Sequence, residues 1–418
     1  MRIVADLHIH SRYSRATSQE MNITTLARWA KIKGVNLLGT GDFTHPLYIA
    51  ELKAKLQTTD GGLLRLKGDH QGPYFIPTVE VTNIYHQRGR LRKIHTLLVA
   101  PDLIVAEKIN ARLKWRGNLM ADGRPTFTFP TKDLVKLILD ISADTMIIPA
   151  HAWTPWFSVF GSNSGFDSLE DCFEEENKNI YAIETGLSSD PAMNRRLSTL
   201  DRISLVSNSD AHSPARIARE ANVLNCPPNY KDVVQTISSR DPKRFLFTVE
   251  FFPEEGKYHY DGHRKCGIVW SPAETQRNHG LCPVCGTTVT LGVMHRVEHL
   301  SDRMEGCGPP GPIPAKHLVP LEEIIGEALE VNRGTKAVHR EYERLIGLFG
   351  SELQILLDVE EEELKKNCPS RVWEGIVKAR RGEVEVEPGY DGVYGKISLF
   401  PSNEGHPPRV EQNQLGLF

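Results

Sequence analysis

The chain has 418 residues, long enough for two or three domains with a sizeable core. It is 40% hydrophobic and 25% charged with a formal net charge of −3, so any nucleic-acid surface has to be local. No run approaches the roughly 18 to 20 apolar residues of a membrane span, and no membrane partner is expected.

The opening "MRIVADLHIH" lacks the apolar core of a signal peptide, so export is not expected. It reads as a strand. "TTLARWAKIKG" then has helical spacing and stops at Gly34. "VNLLGTGDF" and "RKIHTLLVA" are strands, and so is "DTMIIPAH" after the helix-like "TKDLVKLILDIS". "NIYAIETG" and "RISLVSNSDAH" complete the series. Strands alternating with helices predict a parallel sheet, open or closed into a barrel. Near residue 253 the composition turns rich in Gly, His and charge. Leu321 to Lys378 is helical in pattern, with Glu360 to Glu363 as a solvated face, and the chain is polar and proline-containing from Pro401. Expected domains are therefore residues 1–245, 246–318 and 319–398, followed by a tail over 399–418.

The predicted strands end in metal-ligand chemistry. Asp6, His8 and His10 close the first, and Asp42 closes the second with His45 three residues on. Glu80 follows "FIPTV", His95 begins "HTLLVA", His151 ends "MIIPA", and Asp210 and His212 end the last. A barrel gathers such ends at one mouth. Singly, each reads as a satisfied core residue. Together, unpaired buried carboxylates and imidazoles cost several kcal/mol each, and cations such as zinc, manganese or iron offset that.

"DLHIHS", a strand-ending Asp, a lone Glu, two separated histidines and a final "DAH" resemble the PHP (polymerase and histidinol phosphatase) superfamily. The resemblance implies a distorted (β/α)7 barrel with up to three metals. One metal would take His8, His10, Glu80 and Asp210, which are also the expected catalytic residues. A second would share Glu80 and take His95 and His151. A third would involve His212 and the Asp42–His45 segment. This last set departs from the family pattern: Ala16 stands where a further His is common, and Phe43 follows Asp42 where a His is usual. Clustered cations would clamp a phosphate ester and acidify an attacking water.

Seven cysteines do not make a disulfide framework. Cys172, Cys226, Cys307 and Cys368 are scattered, which fits a reducing cytoplasm. In "HRKCGIVWSPAETQRNHGLCPVCG", Cys266, Cys282 and Cys285 have the spacing of a structural zinc site. His263 or His279 could be the fourth ligand. His263 is preferred, because HxxC and CxxC make matching knuckles.

"HQRGRLRK" and "KINARLKWRG" supply local positive charge, and "HAWTPWFSVFG" places Trp153, Trp156, Phe157 and Phe160 beside His151. "PAHAWTPWFSVFGSNSGF", "AIETGLSSDPAMNRRLS", "SNSDAHSP", "YHYDGHRKCG" and "CPVCGTTVTLGVMHRVEHLSDR" resemble the endonuclease Q family across most of the chain. That resemblance implies a metal-dependent DNA repair endonuclease, nicking 5′ to uracil, hypoxanthine, xanthine or an abasic site. It implies structural Zn2+, zinc in the active site, and Mg2+ or Mn2+ for activity. A PHP-type phosphatase or exonuclease on nucleotides or oligonucleotides is the competing enzyme class. A DNA-binding adaptor with a decayed site is the non-catalytic one. "VWEGIVKARRGEVEVEPGYDGVYGKISLF" resembles a segment of superfamily-one DNA helicases, but no P-loop is present and no ATPase is expected. At the tail, Gln412, Gln414, Leu415, Leu417 and Phe418 resemble the boxes that bind sliding clamps, either PCNA or the bacterial β clamp.

Overall fold

A computed structural model describes residues 1–400. The expected clamp-binding residues Gln412, Gln414, Leu415, Leu417 and Phe418 lie outside this range. The fold is mixed α/β with a helical C-terminal region. Strand β1 (Arg2–Asp6) pairs parallel with β2 (Leu37–Gly39), and β2 pairs parallel with β3 (Tyr74–Ile76). The next strands, β4 (Thr78–Gln87) and β5 (Arg90–Val99), form an antiparallel hairpin. The wholly parallel expectation fails there for a local reason. Gln87 faces Arg90, so Arg88-Gly89 is a two-residue loop, and both residues have positive φ (51° and 73°) as a type I′ turn requires. The basic "QRGR" is thus a hairpin turn as well as a charge cluster.

The second half of the site-bearing framework follows. Strand β6 (Met146–Pro149) pairs antiparallel with β5, while β7 (Ala182–Glu184) and β8 (Ser204–Val206) form a parallel pair. Backbone hydrogen bonds join these pieces at their ends. Ala152 N–H donates to Glu184 O at 2.9 Å, Thr185 N–H to Val206 O at 2.9 Å, and His10 N–H to Ala211 O at 3.0 Å. Alternate strand residues meet in one enclosed apolar cluster: Ile3 and Ala5, Leu97 and Val99, Met146 and Ile148. Helices cover the outside and pack a second, larger cluster. The helix Ile23–Lys33 shows the sequence logic, capped by the Asn22 side chain and stopped by Gly34 at φ 87°.

Antiparallel β9 (Ala221–Asn225) and β10 (Phe245–Glu250) extend the sheet beyond β1. The chain then leaves for a small unit containing the hairpin β11 (Asp261–His263) and β12 (Ile268–Trp270) and the helix Val293–Leu300. It returns as β13 (Ala315–His317), parallel to β10. Arg303 ion-pairs with Asp201 at 2.6 Å and Arg196 with Glu298 at 2.5 Å, tying this unit to the first.

Five helices follow between Leu321 and Arg381. The helix Lys336–Phe349 buries Val338, Tyr342, Leu345 and Phe349, a single stripe at three- and four-residue spacing. This region docks on the first helix through a buried ion pair. Lys33 Nζ lies 2.5 Å from Glu352 Oε2, the Tyr342 hydroxyl donates to the same oxygen at 2.5 Å, and Leu321 N–H donates to Oε1 at 3.1 Å. Among the described residues, no helix is long and apolar enough to cross a membrane.

Candidate metal centre

The residue types at the strand ends come together in two groups: His8, His10 and Asp210, and Glu80, His95 and His151. Within each, the offered ligand atoms lie within 4.8 Å of one another. Glu80 stands between the groups. Its Oε1 is 2.5 Å from His95 Nδ1 and 3.0 Å from His151 Nε2, and its Oε2 is 3.3 Å from His10 Nε2 and 3.8 Å from His8 Nε2. The β-hairpin explains part of this. Glu80 faces Leu97 and His95 faces Thr82, so Glu80 and His95 are diagonal neighbours on one face.

The histidine tautomers are set from behind. His8 Nδ1 lies 2.9 Å from Glu184, and His10 Nδ1 lies 3.1 Å from Asp42. A carboxylate only accepts, so each Nδ1 donates and each Nε2 faces the centre, where the neutral ring presents a lone pair. Those two Nε2 atoms and Asp210 Oδ1 are buried without hydrogen-bond partners. His10 Nε2 and Asp210 Oδ1 are only 3.1 Å apart yet poorly aligned for a hydrogen bond. Close, unaligned, electron-rich atoms are what a shared cation satisfies, so the residues fit divalent metal.

The electrostatics describe a cluster awaiting positive charge. Burial opposes the charged form of His8, but Glu184 and Asp210 outweigh it and hold its pKa well above the ordinary value. His10 is raised in the same way, against burial, by Asp42 and Asp210. Burial works to raise Asp210 and Glu80, yet His8 and His10 hold Asp210 well down, and His95 and Arg124 do so for Glu80. Burial drives His95 down to about 4, leaving a neutral imidazole suited to ligation. Three site residues are non-glycines at positive φ: Asp42 (45°), His151 (30°) and Asp210 (47°). Such geometry costs on the order of 1–3 kcal/mol each and clusters at functional sites. Gly186 makes room for one of them, since a Cβ there would sit 2.5 Å from that of His151.

The third ligand set is not brought together: Asp42, His45 and His212 form no group among the described residues. Asp42 Oδ2 accepts from Ser11 N and Oγ, both at 2.6 Å, and from Ser14 Oγ at 2.9 Å, while Oδ1 serves His10. These contacts place Asp42 behind the His10 ring, on the side away from His10 Nε2. His45 stacks on Tyr13 with ring centroids 4.3 Å apart. His212 sits at the rim, 4.5 Å from the His10 ring, with Nδ1 donating to the Asp210 carbonyl at 2.8 Å.

Two residues escaped the sequence reading. Glu184 accepts from His8 Nδ1, Asn208 Nδ2 (2.9 Å) and His151 N–H (2.8 Å), joining ligands of both groups. Its signal was an acid inside the apolar run "YAIE". Arg124, 3.1 Å from Glu80 Oε2, comes from a loop and had no comparable signal.

Away from this mouth, His263, Cys266, Cys282 and Cys285 also converge within 4.8 Å, whereas the alternative His279 is outside the group. Hydrogen bonds from Thr287 pull the Cys285 thiol down to about 6. Desolvation and the adjacent thiols push Cys266 up to about 11. A cation removes that conflict among adjacent thiols, and the donor set suits a four-coordinate metal.

Residues 320–383 match the family model of the MJ0043 C-terminal domain. The uncharacterized protein MJ0043 of Methanocaldococcus jannaschii is 34% identical over 262 residues, covering 60% of this chain, which spans about a third (32%) of that protein's length. The uncharacterized protein YqxK of Bacillus subtilis is 30% identical over 417 residues, covering 95% of this chain and 99% of that one. The crystal structure of the lesion-specific endonuclease PfuEndoQ from Pyrococcus furiosus superposes with a TM-score of 0.85 at 31% identity, over 95% of each chain. An Endonuclease Q complex with a 27-mer duplex carrying an abasic lesion at the active site gives 0.82 at 30% identity, over 95% of this chain and 96% of that one. A two-group carboxylate–histidine centre on a mixed α/β fold defines a candidate metal-assisted hydrolase. Likeness over the whole described fold goes further: the chain belongs to the endonuclease Q family.

Proposed function

We propose that the protein is a metal-dependent DNA repair endonuclease that nicks the phosphodiester 5′ to uracil, hypoxanthine, xanthine or an abasic site. The observation that carries this reading is the likeness to a lesion-specific endonuclease over 95% of the chain, together with two neighbouring ligand groups that Glu80 contacts on both sides. The first metal would be held by His8, His10, Glu80 and Asp210 and the second by Glu80, His95 and His151. Metals there would supply Lewis acidity toward a phosphodiester and its leaving oxygen. The chain's own residues prepare the site. Glu184 and Asp42 fix the histidine tautomers, and Arg124 adds a cation beside Glu80. His212, partly exposed at the rim, is held there by its Nδ1 bond to the Asp210 carbonyl.

The strand ladder and its terminal hydrogen bonds support a distorted seven-stranded barrel, with β3 and β4 as one continued strand. The order is β1, β2, β3/β4, β5, β6, β7, β8 and back to β1 through the Ile9–Ala211 bridge. The same reading makes residues 1–245 the catalytic barrel and 246–318 a module organised by Zn2+ on His263, Cys266, Cys282 and Cys285. Residues 319–398 are then a helical DNA-proximal domain.

The test uses end-labelled duplexes carrying one uracil, one hypoxanthine or neither, with Mg2+ or Mn2+. A nick 5′ to the damaged base, absent from undamaged DNA, is expected. Turnover of a generic phosphate ester with no nick on any duplex would return the phosphatase reading. The tail adds a separate expectation. Replacing Leu415 and Phe418 by Ala should spare cleavage of free oligonucleotides and abolish stimulation by a sliding clamp. Undiminished stimulation of that variant would remove the tail from clamp binding.

A further inference from the structure

We infer that Trp156 and Lys93 form a nucleobase-stacking platform at the edge of the metal centre, its occupant an unstacked base of the cleaved strand; this rests on the DNA reading above. Four aromatics share the loop after His151, and the fold uses them differently. Trp153 and Phe160 are buried, and the Trp153 indole N–H is spent on Asn194 at 2.8 Å. Phe157 lies against the ligand His95, with ring centroids 4.7 Å apart. Trp156 alone of the four is exposed, at 51% of its surface.

A tryptophan left in water beside buried ligands is apolar area the fold does not use. It is also not loose. Thr154 Oγ1 donates to Trp156 O at 2.8 Å, and His95 N–H donates to Phe157 O at 3.0 Å, fastening the loop to the ligand strand β5. Phe157 is held at φ 62°, a left-handed conformation for a bulky residue that persists only under such constraint. From the other side, Arg296 of the helix Val293–Leu300 donates to the carbonyls of Phe160 and Phe166, both at 2.9 Å. The backbone that carries the ring is fastened on both sides.

Lys93 supplies the matching charge. It lies two residues before His95 on β5, so both side chains leave the same face. Its ammonium is 5.0 Å from the Trp156 ring centroid and 5.2 Å from that of Phe157. An exposed aromatic ring with a cation over it, 5.0 Å from its centroid, fits a base and its adjoining phosphate, because stacking accepts any base and the ammonium pairs with any phosphate. Trp115 is exposed too, with Lys114 over its ring, but nothing ties it to a ligand residue.

The experiment measures binding of a fluorescein-labelled duplex with a single deoxyuridine, in Ca2+, and single-turnover cleavage of the same duplex in Mg2+. Trp156→Ala should bind about tenfold or more weakly, while saturating duplex restores most of its cleavage rate; Trp156→Phe should retain most of the affinity. Lys93→Met should weaken binding and flatten its salt dependence. Wild-type binding in Trp156→Ala overturns the inference alone if the wild type cuts the duplex. Equal loss in Trp156→Phe also overturns it, because any aromatic face stacks. A wild type that neither binds nor cuts overturns the DNA reading and this inference with it.

Discussion

Asp210→Asn is expected to lower single-turnover cleavage of a lesion duplex by roughly a hundredfold or more. That exceeds the ten- to hundredfold that outer partners of a metal site are worth. The amide keeps the shape of the side chain and removes the charge. Asp210 Oδ1 lies 3.1 Å from His10 Nε2 and 3.7 Å from His8 Nε2, so the charge lost is the one facing both imidazoles of the first group. Duplex affinity, read by fluorescence anisotropy, should change little, because Asp210 occupies the centre of the site and most DNA affinity comes from cationic surface. Cleavage at the wild-type rate would take Asp210 out of the metal centre and leave His8 and His10 without their carboxylate.

The second large effect concerns stability. Lys33→Met should destabilise the protein by about 3–5 kcal/mol, the cost of leaving one member of a buried ion pair unpaired. The Lys33 and Glu352 side chains are only 6% and 5% exposed, and Glu352 also accepts from Tyr342 and from the Leu321 backbone. The double variant Lys33→Met/Glu352→Gln should recover part of the loss, because the lone charge is gone. Chemical denaturation of the three proteins decides it. A single-variant cost below about 1 kcal/mol would place the pair with exposed surface bridges.

The same pair marks where sequence reasoning runs out. Lys33 ends an amphipathic helix and reads as a solvated basic residue in its last turn. Only a partner 319 positions away makes it internal. The strand-end ligands were legible for the opposite reason. His8 and His10 share one face by the two-residue period of extended chain, and acids and imidazoles ending apolar runs announce themselves. Ligand and orienting carboxylates are the same residue type, so the sequence could not show that Asp42 contacts Ser11, Ser14 and His10. Glu184 ends an apolar run too, but only its contacts to His8, Asn208 and His151 show what it does. The four aromatics after His151 looked equivalent in sequence, and burial alone singles out Trp156.

The return of the chain at β13 has a consequence for protease experiments. The strands bounding the small unit, β10 and β13, are direct neighbours in one sheet. Its approach to β13 is accessible, with Met304 80% exposed and Cys307 nearby in water. A protease cutting there would yield two fragments on a denaturing gel. In solution both would stay annealed along the same ladder, with the N-terminal fragment ending in the unit and the C-terminal one carrying β13. Such fragments would co-elute on a sizing column, and their band pattern would report accessible backbone, not separately folding parts.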